Sequence, residues 1–266
     1  MDTGLTRLFD NRSSKRSLGT RHVGTKFLVY DLVTSTNDLA HFLAKNGEPA
    51  GTVVFAHGQT NGKGRLGNAW QSPRGGLYCT VILRPDLQIH QLTRVTLITA
   101  LSIVRALKDW HVPHVSIKWP NDVLVAGKKI AGILTEMSLS ENKVSYVVVG
   151  LGVNVNTNLD ELPEQAVSLK QVLRKECDIA DLAHNILKHM DGYYDQLACG
   201  SSGLRDEMKA VSGLMMGQRV RLLSENDSVE GYAVDFDENG GLVLRLDNGF
   251  LKTFHSGHLI KAEGHT

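Results

Sequence analysis

Between two apolar, β-branched runs at 52–56 and 77–83 the chain carries Gly62-Lys63-Gly64-Arg65-Leu66-Gly67. The spacing matches the G-x-G-x-x-G fingerprint of a dinucleotide site, which needs a helix directly after it so that the pyrophosphate meets the helix N-terminus. Here residues 68–76 contain Pro73 and the pair Gly75-Gly76 and lead into another strand, so the doubly wound nucleotide fold is excluded. What remains is a hairpin loop, 58–67, whose backbone N–H groups and two cations, Lys63 and Arg65, suit an enclosed phosphate or carboxylate. A solvated loop is the alternative, but Lys63 and Arg65 repel each other unless an anion lies near them.

The pattern around this loop is one of short strands with few helices. Residues 26–33 read as a strand, and Ser35 with Asp38 predicts the start of a short helix running towards Asn46. Ser35-Thr36-Asn37 therefore sits at a strand-to-helix junction. Leu92, Val95, Ile98, Leu101 and Leu107 follow helical spacing and predict a long core helix ending before Pro113. Short strands at 115–119, 122–126, 129–139 and 144–149 follow, with turns at 126–128 and 140–142. Residues 169–211 carry helical periodicity broken at 200–203, with Asp178 as a cap. From Gly217 the character changes to strands at 219–223, 229–235, 242–246 and 250–254, the spacing of a small barrel. The expected class is α+β, a mixed and largely antiparallel sheet with packed helices. Its expected division is an N-terminal extension at 1–24, a main domain at 25–216 and a small barrel domain at 217–266.

Composition removes several functions. With 29 Lys+Arg against 28 Asp+Glu there is no global field to draw in nucleic acid or an anionic membrane. No apolar run approaches the roughly 20 residues needed to span a bilayer. Three widely spaced cysteines, Cys79, Cys177 and Cys199, fit a reducing compartment, and the expected location is cytoplasmic. The opening stretch through Arg21, with Arg7, Arg12, Lys15 and Arg16 among Ser and Thr, has a faint transit-peptide character that Asp2 and Asp10 oppose. His111-x-x-His114 and His255-x-x-His258 imitate metal spacing without Cys or carboxylate partners, and no metal site is expected from them.

Two further stretches carry unusual chemistry. Lys118-Trp119-Pro120-Asn121-Asp122 sets a cation, an aromatic ring, an amide and a carboxylate at a turn that needs only Pro, Asn and Asp. Lys129, Gly132 and Glu136 follow on one predicted strand. Alternation puts Lys129 and Gly132 on opposite faces unless a bulge intervenes, and a glycine inside a strand often marks one. Gly150-Leu151-Gly152-Val153-Asn154-Val155-Asn156 is expected to end the strand at Val149 as a tight loop.

Taken in order, Ser35-Thr36-Asn37, the glycine loop after Gln59, Lys118 to Asp122, Lys129-Ile130-Ala131-Gly132-Ile133-Leu134 and Gly150 to Asn156 resemble the biotin protein ligases, from about Lys26 to the C-terminus. The resemblance implies a catalytic domain like that of class II aminoacyl-tRNA synthetases, and the C-terminal strands are similar to the SH3-like barrel of many such ligases. It implies two half-reactions. Biotin and ATP with Mg2+ form biotinyl-5′-adenylate, and a lysine of a biotin carboxyl carrier protein or domain then takes the biotinyl group. Joining two anions calls for positive charge at the reacting phosphate, and the resemblance assigns this to Arg65 and Lys129, with Asp122 orienting or deprotonating the lysine. For biotin it implies Ser35, Thr36, Asn37, Gln59, Lys63, Gly64, Arg65, Lys129 and Gly132, the last leaving room for the ring. For the nucleotide it implies Gly62, Gly64, Arg65, Trp70 stacked on adenine, Lys118, Asn121, Lys129, Gly152 and Asn154, with Lys261 as a late basic contact. Lys63 stands where the family usually has arginine, which keeps the charge and loses the bidentate fork. The N-terminal extension is too short for a helix-turn-helix domain, so no DNA partner is expected, and a homodimer through a sheet edge is a family habit. A lipoate–protein ligase of the same fold and a non-catalytic biotin-binding regulatory module are the alternatives. The second would be expected to have lost Arg65 or Lys129, and both are present.

Overall fold

The computed structural model describes residues 18–141, 143–198, 203–212, 215–224 and 227–262. The basic opening stretch up to Arg16, Asn142 of the predicted turn, Cys199 and the helix break at 200–202 lie outside the described residues. The main body is a seven-stranded sheet in the order β1-β2-β3-β7-β6-β5-β4. Its strands are β1 (Lys26–Val33), β2 (Thr52–Gln59), β3 (Leu77–Leu83), β4 (Val115–Lys118), β5 (Asp122–Val125), β6 (Lys128–Ser140) and β7 (Lys143–Val153). Only β1 and β2 run parallel, because helix α1 (Thr36–Lys45) crosses between them; every other pair is antiparallel.

The two faces are covered unequally. Helices α2 (Leu92–Asp109) and α4 (Ile179–Ala198) lie on one face, over Val53, Phe55, Cys79, Val81, Val147, Val149 and Leu151 in the main apolar cluster. Asp178 caps α4 as expected, its carboxylate accepting from the N–H groups of Ala180 and Asp181. On the other face α1 packs Ala40 and Ala44 against Val54, Ile82, Tyr146 and Val148. From Tyr146 to Val149, period-2 alternation along β7 separates these sets, odd-numbered residues to the large helices and even-numbered ones to α1. The short helix α3 (Leu169–Leu173) follows the loop after β7, and α5 (Leu204–Val211) precedes the second sheet.

That second sheet is antiparallel throughout, in the order β11-β10-β9-β8-β12, from β8 (Arg219–Leu223), β9 (Ser228–Phe236), β10 (Leu242–Arg245), β11 (Leu251–Phe254) and β12 (His258–Lys261). It docks on the first through polar bonds to its own backbone. The buried Trp119 donates from Nε1 to Gly240 O at 2.9 Å and Thr93 from Oγ1 to His255 O at 2.8 Å. Ion pairs join Asp235 of β9 to Arg205 and Lys209 of α5, and these cations hold its carboxyl well below the usual carboxylate range.

Four local features differ from the sequence expectation. β2 continues to Gln59 because Gly58 and Gln59 still pair with Leu32 and Val33. β7 does not stop at Val149: Gly150 to Val153 stay paired to β3 and β6 on both sides, so what reads as a loop is strand. Strand β12 was not expected, its four residues being too few and too mixed to show a period. The segment 250–254 begins one residue later than its alternation suggests.

Candidate active site

The site grows out of the face that carries α1. Along β7 that face presents Tyr146 and Val148, which α1 covers, and then Gly150 and Gly152, which withdraw their side chains and leave a cavity floor. Gly132 of β6 pairs with Gly152, and Leu134 with Gly150. Each glycine is required by what lies on it. A Cβ would fall 2.0 Å from Asn37 Oδ1 at Gly150, 2.4 Å from Trp70 Nε1 at Gly152 and 2.8 Å from Trp70 Cζ3 at Gly132.

One wall is the junction of β1 and α1. Ser35 caps the helix, its hydroxyl accepting from Asp38 N, while also lining the cavity, so both readings of this residue hold as geometry. Thr36 donates from its backbone N to Gln59 Oε1 at 2.7 Å, and Gln59 donates from Nε2 to Ser72 Oγ at 2.8 Å. The opposite wall comes from β6 and the β4–β5 turn. The β5–β6 register skips Ile130: Val123 pairs with Ala131 and Leu124 with Lys129. This is the bulge that parity demanded, and it brings Lys129 and Gly132 to the same cavity. The glycine loop forms the roof as a short hairpin, with Trp70 N bonded to Gly62 O at 2.8 Å and Gly64 N to Asn68 O at 2.7 Å.

Of the residues proposed from sequence, Ser35, Thr36, Asn37, Gln59, Lys63, Gly64, Arg65, Trp70, Asn121, Lys129, Gly132 and Gly152 line one cavity. Asp122 is one step behind it, bound to Lys129 Nζ at 2.7 Å. Gly62 belongs to an adjoining open groove, lined also by Gln71, Pro73, Asp160, Glu161 and Pro163, and Trp70 is the partition between the two spaces. Lys118 and Asn154 are outside the cavity lining. Asn154 is buried and donates from Nδ2 to Val167 O at 3.2 Å, which ties down the loop after β7. Trp119 packs between the sheets, and Lys261 lies on β12 in register with Val220.

The charges are held ready for an anion. Lys63 is paired with Asp38 and Lys129 with Asp122, so both ammonium groups rest on carboxylates. Arg65 differs, donating from Nη1 to two neutral oxygens, Asn121 Oδ1 at 2.9 Å and Gly257 O at 3.1 Å. Burial draws its guanidinium below the usual arginine range, and Asp122 offsets this in part. Lys129 Nζ also lies 5.2 Å from the centroid of Trp70, a cation–π distance. Trp70 Nε1 is buried with no hydrogen-bond partner among the described residues, and an unmet donor of this kind costs about 1–3 kcal/mol. The indole, not free space, covers Gly132 and Gly152. The space left beneath it is about 50 Å3, against about 590 Å3 in the adjoining groove.

Sequence reasoning passed over three contributors. His258 was noted only for its spacing from His255, yet burial and Lys118, with Arg65 and Lys129 adding and Asp122 opposing, hold its imidazole below the ordinary histidine value, which puts β12 within the field of the site. No local signal marks it, since the barrel brings it there. Thr80, an ordinary strand residue by sequence, and Glu136, noted only as following Lys129 and Gly132 on one strand, both bond to Asn37.

Comparison with known proteins gives the family of the chain. Residues 29–154 match the model of the biotin/lipoate A/B protein ligase family, and residues 216–260 that of the biotin protein ligase C terminal domain. The chain is 34% identical over 243 residues to the bifunctional ligase/repressor BirA of Bacillus subtilis, covering 89% of this chain and 74% of that protein. It is 32% identical over 217 residues to the biotin–[acetyl-CoA-carboxylase] ligase of Mycobacterium tuberculosis, covering 79% of each. Among solved structures it resembles the biotin protein ligase from Aquifex aeolicus in complex with biotin and ATP, with a TM-score of 0.77 and 30% identity over 90% of this chain and 100% of that one.

Proposed function

The chain belongs to the biotin/lipoate A/B protein ligase family, and from that premise we propose that it is an ATP-dependent ligase that activates biotin as biotinyl-5′-AMP and transfers it to a lysine of a biotin carboxyl carrier domain. The observation that carries this reading is the meeting of two different chemistries in one cavity. Hydroxyls and amides at Ser35, Thr36 and Gln59 suit a ureido ring, while Arg65 and Lys129 across the glycine floor suit a carboxylate beside a phosphate. In this reading residues 25–216 are the catalytic unit, 217–266 the barrel domain, and the groove beyond Trp70 takes the nucleotide.

The first half-reaction brings a biotin carboxylate oxygen to the α-phosphorus of ATP; the bond to the β-phosphate breaks and pyrophosphate leaves. Lys129 and Arg65 offset the mutual repulsion of the two anions and stabilise charge on the α-phosphate oxygens in a site that Trp70 shields from water. Lys129 leaves Asp122 when the anion takes its place. Mg2+, when bound, would spread the charge of the leaving group, and with no cluster of three metal-ligating side chains among the described residues the polyphosphate itself would supply its main ligands. In the second half-reaction the lysine amine attacks the acyl carbon, the acyl–phosphate bond breaks and AMP departs. In this reading Asp122, paired with Lys129 in the empty site, takes the amine proton once released.

Biotin-dependent exchange of labelled pyrophosphate into ATP tests the proposal. Exchange with biotin and none with lipoate is expected. Exchange with lipoate would move the protein to the sister branch, and exchange with neither would end the ligase reading. The split of roles gives a further expectation. Asp122→Asn should slow transfer to the carrier by about 10²–10⁴-fold more than it slows exchange, the range of a lost general base. Equal slowing of both steps would show that Asp122 serves only to hold Lys129.

A further inference from the structure

Strand β7 does not accompany β6 as far as Lys129. Their last ladder pair is Val153 with Ala131; Asn154 N then reaches Ile130 O at 2.9 Å, and the chain turns away. Residues 165–167 take the vacated place. They return from the loop 156–164 with Ala166 bridged in parallel to Lys129. Lys129 commits both main-chain groups to this limb, its N–H donating to Gln165 O at 2.9 Å and its carbonyl accepting from Val167 N at 3.0 Å. Asn154 closes the crossing, donating from Nδ2 to Val167 O at 3.2 Å and accepting at its own main-chain oxygen from Leu169 N at 3.0 Å.

Lys129 needs such a hold because it stands next to the bulge. Ile130 is the extra residue there, and a bulge interrupts the ladder to the neighbouring strand. The irregularity aims the side chain into the cavity; it does not fix the main chain from which that side chain starts. Lys129 faces Leu124 of β5 in register, yet its N–H and C=O are both bonded to the returning limb. A group misplaced by about 1 Å can lose about 100-fold in rate, so what holds this main chain bears directly on where the ammonium sits. The outgoing limb of the loop is anchored separately. Asn156 donates from its main-chain N to Gly75 O at 2.7 Å, and its side-chain amide makes two bonds of 2.9 Å with the main chain of Cys177. The loop tip, Asp160 to Pro163, which lines the groove beyond Trp70, is therefore tied down from its own side.

We propose that residues 165–167 are a positioning strap for Lys129, buckled by Asn154, and that this strap rather than the β5 ladder sets where the ammonium meets the reacting phosphate. The inference rests on the ligase reading of the cavity. It adds Gln165, Ala166 and Val167, none of which lines the cavity or the groove, and it gives Asn154 a task apart from any ligand.

The test is a double-mutant cycle on biotin-dependent pyrophosphate exchange by the full chain. Val167→Pro removes the N–H that reaches Lys129 O, whereas Val167→Ala trims the side chain and keeps it. Val167→Pro is expected to lower kcat roughly tenfold to a hundredfold with KM for ATP within about twofold, and Val167→Ala to stay near wild type. Added to Lys129→Ala, whose residual exchange is read over correspondingly longer incubations, Val167→Pro should change the rate by less than about threefold, because no ammonium is left to misplace. Should Val167→Pro fail to fold, Asn154→Ala, which removes the buckle, enters the same cycle, and its loss in kcat should likewise shrink once Lys129 is gone. An unchanged kcat in folded Val167→Pro, a rise in KM for ATP with kcat kept, or equal losses with and without Lys129 overturns the inference and leaves the ligase reading standing. No biotin-dependent exchange by the wild-type protein defeats that reading itself.

Discussion

Replacing Lys129 by alanine is expected to lower biotin-dependent pyrophosphate exchange by about 10²–10³-fold, the loss typical when one preorganised stabiliser of developing charge is removed. The position argues for the upper end. The bulge at Ile130 aims Lys129 across the cavity, where its ammonium lies against Asp122 on one side and the Trp70 ring on the other. Its loss removes a cation from a site with little water and also strands Asp122 as an unpaired carboxylate beside the incoming polyphosphate. Lys129→Ala with Asp122→Asn should therefore exchange faster than Lys129→Ala alone, although both remain far below wild type. A double variant no better than the single one would mean that Asp122 exerts no field on the first half-reaction.

Gly150→Ala is expected to damage both fold and binding. The new methyl would sit 2.0 Å from Asn37 Oδ1, and Asn37 cannot yield without giving up bonds to Glu136, Leu134 and Thr80. Overpacking together with a broken buried network costs about 2–4 kcal/mol. In a chain of this size that lowers Tm by about 5–15 °C, and scanning calorimetry measures it directly. Removing the obstructing amide should recover part of the stability, so Gly150→Ala with Asn37→Ala should melt above Gly150→Ala alone. Biotin affinity should not return, because Asn37 itself lines the cavity and its amide is gone.

Much of the architecture was legible because the two periods differ. β-Branched runs between turn residues marked most strands, and the spacing from Leu92 to Leu107 marked the core helix. Lys129 and Gly132 even announced their own bulge, since two residues three apart can share a face only if the strand carries an extra one. Gly150 to Val153 was misread for a physical reason. Glycine signals a loop when its conformational freedom is being used, but here its missing side chain is used, and only the seats of Asn37 and Trp70 reveal this. Trp119 shows the same limit, as a member of a site motif whose ring serves contact between the sheets. The parts played by His258, Thr80 and Glu136 could not be read from spacing. Each acts through a neighbour that is remote in sequence, and no local pattern encodes that proximity.

The way the barrel meets the larger sheet bears on how freely such modules can be exchanged. Arg65, Trp119 and Thr93 all reach for main-chain oxygens, at Gly257, Gly240 and His255, which any sequence folded the same way would supply. Shape is less forgiving. Gly240 takes a left-handed conformation at φ +79°, and a Cβ there would fall 2.2 Å from Leu97 Cδ1. A chimera that joins this catalytic sheet to a foreign barrel should therefore keep its contacts to Arg65 and Trp119 across wide divergence in side chains, provided the graft brings a glycine to that one turn.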